Sequence, residues 1–406
     1  MDADKCKGCI NCMRKCPVQA IRVRNGKASI DYDKCISCGD SIRSCPNRAI
    51  SARYDSYDIL NGYSYRVALL PSCMYGQFPH IYDAKLILNS LKNIGFDHVF
   101  EVARASDILS LLKRELFIMK DYKEAPVISN VCPACVELIC SRYHSLADNL
   151  LDFLPPLGVA AKLAREEARG KSGLPDGDIG VFYLSPCPAK VSYVKNGFAG
   201  YKSQVDTVVS INDIYFQLIA KMQPKADIKS LSNSGMIGIG WASTGGEATA
   251  IFNESYLAAD GIENVIRVLD QVENGNIPPL EFIELNACSG GCVGGVMTMQ
   301  NPFIAKARLQ TLRRYLPVSQ NFLSKEESYI PESYIFNEIP TYHPISRLSD
   351  SMAESMRMMA DIQKLRDTLP GIDCGACGAP NCRAFAEDTV RNRSCGAKCP
   401  LYKEGD

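Results

Sequence analysis

The chain has 406 residues, of which 46% are hydrophobic, so it is long enough for two or three domains with sizeable cores. Lysine plus arginine equals aspartate plus glutamate at 45 each, which gives no net charge to draw it to nucleic acid or to an anionic membrane. No signal-peptide pattern and no long apolar segment is present, so we expect a cytoplasmic protein with neither nucleic-acid nor membrane partners.

The cysteine content points to metal binding. Nineteen cysteines in a cytoplasmic chain of this size do not make a disulfide framework, because the cytosol keeps thiols reduced. The chain has four histidines, and none lies near a cysteine cluster in the sequence. They are His80, His98, His144 and His343. This composition predicts all-thiolate iron-sulfur sites rather than zinc sites of mixed cysteine and histidine ligands.

The first predicted domain is an iron-sulfur arm at residues 1–60. Its first cysteines follow the C-x2-C-x2-C-x3-C-P spacing of bacterial ferredoxins. They are Cys6, Cys9, Cys12 and Cys16. A second copy at residues 34–46 repeats the spacing with Cys35, Cys38 and Cys45. This internal repeat predicts a two-cluster ferredoxin module of α+β fold.

The second copy is imperfect, because Ser41 stands at its third ligand position. Crossed ligation, in which the last cysteine of each copy serves the other cluster, gives one complete 4Fe-4S site. That site would use Cys6, Cys9, Cys12 and Cys45. The other would use Cys16, Cys35, Cys38 and Ser41. A serine oxygen is harder and far less acidic than a thiolate, so this second site could be a serine-ligated cubane, a three-iron cluster, a labile cluster, or no cluster.

The predicted central domain, residues 61–316, alternates short apolar runs with helical stretches. The runs that resemble buried strands are 67–71, 125–130, 179–184, 236–241 and 282–286. Helices are predicted at 110–120 and 158–170. This alternation indicates an α/β core of largely parallel sheets with flanking helices.

Cysteines follow four of these five runs within three residues. They are Cys73, Cys132, Cys187 and Cys288. Because ligands in such sheets gather at the carboxyl ends of strands, the spacing predicts one metal site built from separate strands, joined by Cys292. Gly290 and Gly291, with the glycines at 294 and 295, would let the backbone approach a bulky cluster. A phosphate loop is the rival interpretation, but it would require a Lys-Ser/Thr pair that is absent here.

The motifs around these cysteines resemble those of the FeFe (iron-only) hydrogenase family. The resembling segments are VCPAC at 131–135, SPCPAK at 185–190 and ACSGGC at 287–292, and STGGEA at 243–248 resembles the family's T-G-G element through Gly245 and Gly246. The resemblance implies an H-cluster, a 4Fe-4S cubane joined to a diiron unit with carbonyl, cyanide and azadithiolate ligands. The implied cubane ligands are Cys132, Cys187, Cys288 and Cys292. Cys292 would bridge to the diiron unit, and Lys190 would hydrogen-bond a cyanide.

The departures from the family pattern bear on activity. Val131 replaces the cysteine that relays protons in the family, and Tyr193 replaces an acid. Cys135 stands in place of a tryptophan, and Asn286 stands in place of a methionine. Without a group of suitable pKa within reach of the site, proton transfer is slow. The resemblance therefore implies a hydrogenase of low activity, similar to the sensory branch of the family.

The implied partners of such a protein are hydrogen and protons, an electron carrier such as ferredoxin, maturation proteins, and a signalling kinase or phosphatase. A non-catalytic electron-transfer or cluster-assembly protein without the diiron unit is the alternative. A fully active hydrogenase would need a proton relay that the sequence does not identify. By default we expect Cys73, Cys135 and Cys140 to be small buried hydrophobes, and Trp241 to lie in the core.

The C-terminal part begins with an irregular segment, 317–350, predicted to be a linker or strap. The next segment, 349–371, has methionines among its apolar positions and fits a helix ended by Pro-Gly, and we expect these methionines to pack in a core rather than to bind a cofactor. Four cysteines then resemble the ligands of the small helical 4Fe-4S domain of electron-transfer complexes and corrinoid proteins. They are Cys374, Cys377, Cys382 and Cys399. Cys395 is the alternative last ligand and zinc the alternative metal. We expect this domain, 351–406, to be an electron port or redox sensor at the end opposite the ferredoxin arm.

Overall fold

The computed structural model describes residues 1–79, 84–222, 232–322, 331–336, 338 and 348–401. These residues form two compact units, one combining residues 1–52 with 348–401 and the other holding the chain between them. Much of the predicted linker at 317–350, together with His80 and His343, lies outside the described residues.

The secondary structure of the described residues alternates strands and helices. The strands are β1 (Ile21–Arg24), β2 (Lys27–Ile30), β3 (Tyr65–Leu70), β4 (His98–Glu101), β5 (Val127–Ile128), β6 (Ile179–Ser185), β7 (Thr207–Ser210), β8 (Tyr256–Asp260) and β9 (Phe282–Asn286). The α-helices are α1 (Asn11–Arg14), α2 (Asp40–Arg43), α3 (Lys85–Asn93), α4 (Val102–Met119), α5 (Pro133–Arg142), α6 (Pro156–Ser172), α7 (Pro188–Asn196), α8 (Ile211–Lys221), α9 (Met236–Gly240), α10 (Gly246–Ala250), α11 (Ile262–Glu273), α12 (Pro302–Arg313), α13 (Met352–Thr368) and α14 (Cys382–Val390).

The larger unit contains two parallel sheets flanked by helices, which confirms the predicted α/β core. One sheet has the order β4-β3-β6-β7 and the other β5-β9-β8, and every strand pair in both is parallel. All seven residues of β6 are buried, as expected for a parallel strand covered on both faces. Four of the predicted strands and both predicted helices are confirmed, in β3, β5, β6, β9, α4 and α6.

The prediction of a strand at 236–241 is wrong, because these residues form the short helix α9. The Asp107 carboxylate accepts the backbone N–H groups of Gly235 at 3.0 Å and Gly238 at 2.7 Å, which satisfies donors at the start of the helix. A side chain at Gly238 would overlap the carbonyl of Ala103 on α4. A short apolar run looks the same in a buried helix as in a buried strand, and only these long-range contacts decide between them.

The smaller unit joins the two ends of the chain. Its ferredoxin part has the antiparallel hairpin β1–β2 and the short helices α1 and α2, and its C-terminal part has α13 packed on α14. The α+β and helical predictions for these parts are confirmed. The expectation that they lie at opposite ends is wrong, since the N–H of Val23 on β1 donates to the carbonyl of Gly378 at 2.9 Å.

The three methionines at the predicted apolar positions of α13 are exposed, so the prediction that they pack in a core is wrong. Met352, Met356 and Met359 are 81%, 65% and 57% exposed, whereas Ile362 and Leu369 are buried in the small core that includes α14. The helix is therefore anchored through the C-terminal half of its apolar pattern. Among the described residues, no helix is long and apolar enough to cross a membrane.

Candidate metal centres

Two of the four cysteines of the central motifs follow neighbouring strands. β5 and β9 pair in parallel, with Ile128 opposite Ile283, so the loops after both strands leave the same edge of the sheet. These loops carry Cys132 and Cys288. The thiol of Cys135 donates a hydrogen bond to the sulfur of Cys132, and the backbone N–H of Ala287, next to Cys288, donates another. These bonds lower the pKa of Cys132 to about 6 against the effect of burial, which favours a thiolate at this position.

The third cysteine comes from the other sheet. β6 ends at Ser185, and Cys187 then precedes α7, whose first residue is a proline. The sulfur of Cys187 lies within electrostatic reach of Cys132 and Cys292. Burial raises the pKa of Cys187 to about 12, although the nearby charge of Lys190 acts in the opposite direction. The structure therefore collects cysteines from the ends of β5, β6 and β9.

Lys190, in the first turn of α7, completes the group. Its Nζ donates to the Sγ of Cys292 at 3.3 Å. Burial alone would lower the pKa of Lys190, but the negative charges of Cys292, Tyr183 and Cys187 outweigh burial and raise it well above its usual value. The side chain is therefore a fixed cation beside the thiol that the sequence motif marks as bridging.

The glycine-rich loop after β9 lies against backbone from two other segments. Gly291 has φ +89°, and a Cβ there would lie 2.7 Å from the backbone nitrogen of Thr244. A Cβ at Gly295 would overlap the carbonyl of Pro186, next to Cys187. The Thr244 N–H also donates to the carbonyl of Gly290 at 3.1 Å. The sequence suggested that these glycines make room for a cofactor, and the structure shows that they also allow three loops to meet.

The T-G-G element is held by buried carboxylates that the sequence analysis did not identify. Glu284 on β9 accepts the N–H groups of Gly245 at 3.0 Å and Ala248 at 2.9 Å. A side chain at Gly246 would overlap the carbonyl of Gly240, so this loop also depends on close backbone contact. Burial and the neighbouring charge of Glu247 raise the pKa of Glu284 to about 7.

Glu247 links this element to the Cys132 loop. Its carboxylate pairs with the buried ammonium of Lys113 and accepts the hydroxyl of Ser129, which in turn accepts the N–H of Val131 at 3.3 Å. Lys113 and Glu247 are 1% and 2% exposed. The pairing joins residues 134 positions apart, so no local pattern in the sequence could have indicated it.

A cavity lies beside Lys190 and Cys292. It is walled mainly by apolar residues, among them Val131 and Trp241, and Cys73 also lines it. The expectations that Trp241, Cys73, Cys135 and Cys140 are buried are confirmed. Cys73 is nevertheless more than a buried apolar side chain, because it lines the same cavity as Lys190. The sequence did indicate this, because Cys73 follows β3 as the other cysteines follow their strands.

Tyr193 provides a test of whether the cavity fits a polar ligand. It lines the cavity one turn after Lys190, and its buried hydroxyl has no hydrogen-bond partner in the described part of the chain. Burial raises its pKa well above the usual value, so it remains a neutral donor. A buried hydroxyl without a partner costs about 1–3 kcal/mol, which an acceptor bound in the cavity would recover. Lys190 and Tyr193 thus fit a group with negative or acceptor atoms.

The cysteines of the ferredoxin arm form two groups. Cys12 lies within electrostatic reach of Cys9, Cys45 and Cys6, and Cys38 within reach of Cys16 and Cys35. These are the two sets that crossed ligation predicts. Ser41 lies in α2, next to Asp40, and burial together with the Asp40 charge raises the pKa of Cys38 to about 12.

The C-terminal cysteines form a third group. Cys377 lies within electrostatic reach of Cys399 and Cys374, and it packs with Cys382 and Cys399 against one small core. Cys399 therefore belongs to this group in the structure, whereas Cys395 is exposed. Across the described residues, no three cysteine, histidine or acidic side chains lie close enough to hold a single metal ion. A four-iron cluster holds its thiolates farther apart than a single ion does.

Comparisons with known families match all three parts of the chain. The family model described as iron only hydrogenase large subunit, C-terminal domain, matches residues 74–257 and 246–296, more than half of the chain. A 4Fe-4S dicluster domain matches residues 1–47, and an Fe-S cluster domain matches residues 369–401. The two end matches support iron-sulfur clusters at both ends.

Solved structures of FeFe-hydrogenases are also similar to the chain. One comes from work on stepwise H-cluster assembly; it is 14% identical with a TM-score of 0.48, and the match covers 63% of this chain and 86% of that one. Another is a variant of a Chlamydomonas reinhardtii FeFe-hydrogenase, 15% identical with a TM-score of 0.46, and the match covers 61% of this chain and 83% of that one.

The close contact of Gly295 with the carbonyl of Pro186 predicts that a single added methyl group will disturb the site. Gly295→Ala should push the Cys292 loop away from Cys187, costing about 1–3 kcal/mol of stability and lowering the iron bound per chain. Gly170→Ala is the control, because this helical glycine has open space around its Cβ position. Iron content and melting temperature after identical reconstitution would be measured. Equal iron in the two variants would contradict the prediction.

The buried ion pair predicts a second effect. Glu247→Gln should leave the Lys113 ammonium buried without a counter-charge and destabilise the larger unit by about 3–5 kcal/mol. Urea unfolding followed by circular dichroism would measure the change. Asp176→Asn removes the carboxylate of the exposed Arg169–Asp176 pair and should leave the unfolding midpoint unchanged. Similar midpoints for the two variants would show that the buried pair is not structural.

Proposed function

Because the chain belongs to the iron-only (FeFe) hydrogenase family and carries iron-sulfur modules at both ends, we propose that it is an oxidoreductase that binds hydrogen at an H-cluster. Turnover, as reversible hydrogen oxidation and proton reduction, is slow in this proposal, and the protein serves as a hydrogen or redox sensor.

The pairing of Lys190 with Cys292 is the observation that carries the proposal. The ammonium lies 3.3 Å from the thiol at the wall of a mainly apolar cavity. A cubane alone requires four thiolates and no cation directed at the space beside it. A cation with donor hydrogens at this position suits an anionic ligand such as cyanide.

The chain's own residues have defined tasks in this proposal. Bound there, the H-cluster would supply an iron site that polarises hydrogen as a Lewis acid and an amine that accepts a proton. The thiolates of Cys132, Cys187, Cys288 and Cys292 would hold it. Lys190 and the neutral hydroxyl of Tyr193 would donate hydrogen bonds to its ligands, and Val131 and Trp241 would exclude water.

Slow turnover is supported by the groups at the cavity wall. Val131 offers no proton where the productive members of the family carry a cysteine, and it lines the cavity. Tyr193, where the family carries an acid, has its pKa raised well above the usual value by burial. A group whose pKa lies far above the working pH releases its proton slowly. A sensor tolerates this, because it has to register hydrogen rather than consume it.

The proposed partners follow from this role. An electron carrier such as ferredoxin would exchange electrons with the iron-sulfur modules, and maturation proteins would deliver the diiron unit. A signalling kinase or phosphatase would read the redox state, a part of the proposal supported only by the sequence resemblance. The proposed location is the cytoplasm.

Infrared spectroscopy tests the proposal directly. Anaerobically matured protein should show carbonyl and cyanide stretching bands, and these bands should shift under hydrogen. Lys190→Met should weaken or displace the cyanide bands because it removes the donor. Lys195→Met, on an exposed part of α7, is the matched control. If maturation succeeds on a control hydrogenase but gives no bands here, the chain is instead an electron-transfer or cluster-assembly protein without the diiron unit.

Restoring the missing thiol should raise activity. Val131→Cys would place an S–H at the cavity wall, and general acid–base catalysis of this kind contributes about a hundredfold or more in rate. Hydrogen evolution measured by gas chromatography should therefore increase. Val208→Cys, at a fully buried position in β7, is the control for an added thiol. High activity of the unchanged chain, with no gain from Val131→Cys, would mean that another proton relay operates.

A further inference from the structure

The ligand loops of two iron-sulfur sites touch within the smaller unit. Arg14, two residues after Cys12, donates from Nη2 to the carbonyl of Cys374 at 2.9 Å. Met13 is fully buried, and its Cε lies 3.0 Å from the position of a Cβ on Gly375. Cys12 and Cys374 are thus joined by one buried side chain and one hydrogen bond.

A second contact runs from β1 to the same C-terminal loop. The N–H of Val23 donates to the carbonyl of Gly378 at 2.9 Å, and the guanidinium of Arg24 donates to the carbonyl of Cys377. A side chain at Gly378 would overlap the carbonyl of Val23. The absence of a side chain there lets the two backbones approach within hydrogen-bond distance.

Charge pairing holds the two parts together. The Asp388 carboxylate lies between two arginines, 2.6 Å from Arg22 and 2.9 Å from Arg24. These three side chains are 10–16% exposed, so the pairs are largely shielded from water and salt. Breaking such pairs leaves a charge without a partner, which makes this a built interface rather than a loose surface contact.

The incomplete site of the ferredoxin arm has a weaker connection. Lys34, next to Cys35, reaches Glu387 of α14 at 3.4 Å through two long side chains. The loop at residues 374–378 instead contacts Met13, Arg14, Val23 and Arg24. The C-terminal loop is therefore joined more tightly to the segment that carries Cys9 and Cys12.

We propose that the C-terminal 4Fe-4S site exchanges electrons directly with the complete site of Cys6, Cys9, Cys12 and Cys45, across the contact of Met13 with Gly375. One electron leaves a reduced cluster, which is oxidised from the +1 to the +2 state, and reduces the other from +2 to +1. A one-electron carrier of the ferredoxin class supplies or removes it. The positive charge of Arg24 beside Cys377 favours the more negative, reduced state of the C-terminal cluster.

This inference rests on the proposed function only in one respect, namely that hydrogen chemistry supplies or consumes the electron. Both clusters would exist without a diiron unit. Electron paramagnetic resonance of the full reconstituted chain, fully reduced, tests it. The signal of the complete ferredoxin cluster should be broadened by a neighbouring spin. Cys382→Ser removes a ligand of the C-terminal site outside the contact loop and should sharpen that signal. An unchanged line width in this variant would overturn the inference.

Three further variants test the inference in case the C-terminal part of Cys382→Ser does not fold. Asp388→Asn should weaken the interface and reduce the broadening, whereas Asp176→Asn in the larger unit should leave it unchanged. Arg24→Gln should shift the C-terminal cluster to a lower potential in a redox titration. Broadening and potential equal to those of the unchanged chain in both interface variants would contradict the proposed path. Absence of the carbonyl and cyanide infrared bands would contradict the proposed function, but it would not affect the measured line widths or the redox potential.

Discussion

The candidate site depends on the contact between the Cys292 loop and the backbone at Pro186. The two sheets of the larger unit each deliver cysteines at their own edge, and these edges must meet for four thiols to surround one volume. They meet where Gly295 lies against Pro186, and Gly291 against Thr244 brings the T-G-G element to the same loop. Each approach is closer than any residue with a Cβ would allow. The pairing of Lys190 with Cys292 across the two sheets follows from this approach.

Buried charged side chains hold the loops around the candidate site in place. Glu284 and Glu247 hold the T-G-G element and the Cys132 loop through backbone N–H groups and the Ser129 hydroxyl, and Lys113 supplies the counter-charge of Glu247. Replacing such charges with apolar residues often makes a protein more stable, so their presence suggests that they fix a position rather than add stability. In this chain they fix the T-G-G element and the Cys132 loop, which have few large side chains that could pack and hold them in place.

The sequence predicted most of the α/β core, because buried parallel strands appear as continuous apolar runs and the cysteines follow them at regular intervals. It also predicted the cysteine groups, since ligand spacing is a local property. The sequence-based predictions were wrong where contacts between distant residues determine the structure. Asp107 makes 236–241 a helix, Asp388 draws the C-terminal domain to the ferredoxin arm, and the methionines of α13 remain exposed because other residues of the helix meet α14. The role of Cys73 at the cavity was visible in its position after β3 but looked like that of an ordinary buried thiol.

The composition of the smaller unit has a consequence for biosynthesis. Arg22 and Asp388, which hold it together, are 366 positions apart in the chain. A ribosome releases the ferredoxin arm first and its partner only after the whole intervening body has been made, and domains generally fold in that order. The arm must therefore spend the time of synthesis with its Asp388-binding arginines and the surface of Met13 uncovered. Its iron-sulfur sites would be accessible to the delivery machinery during that interval and shielded on one side once translation ends.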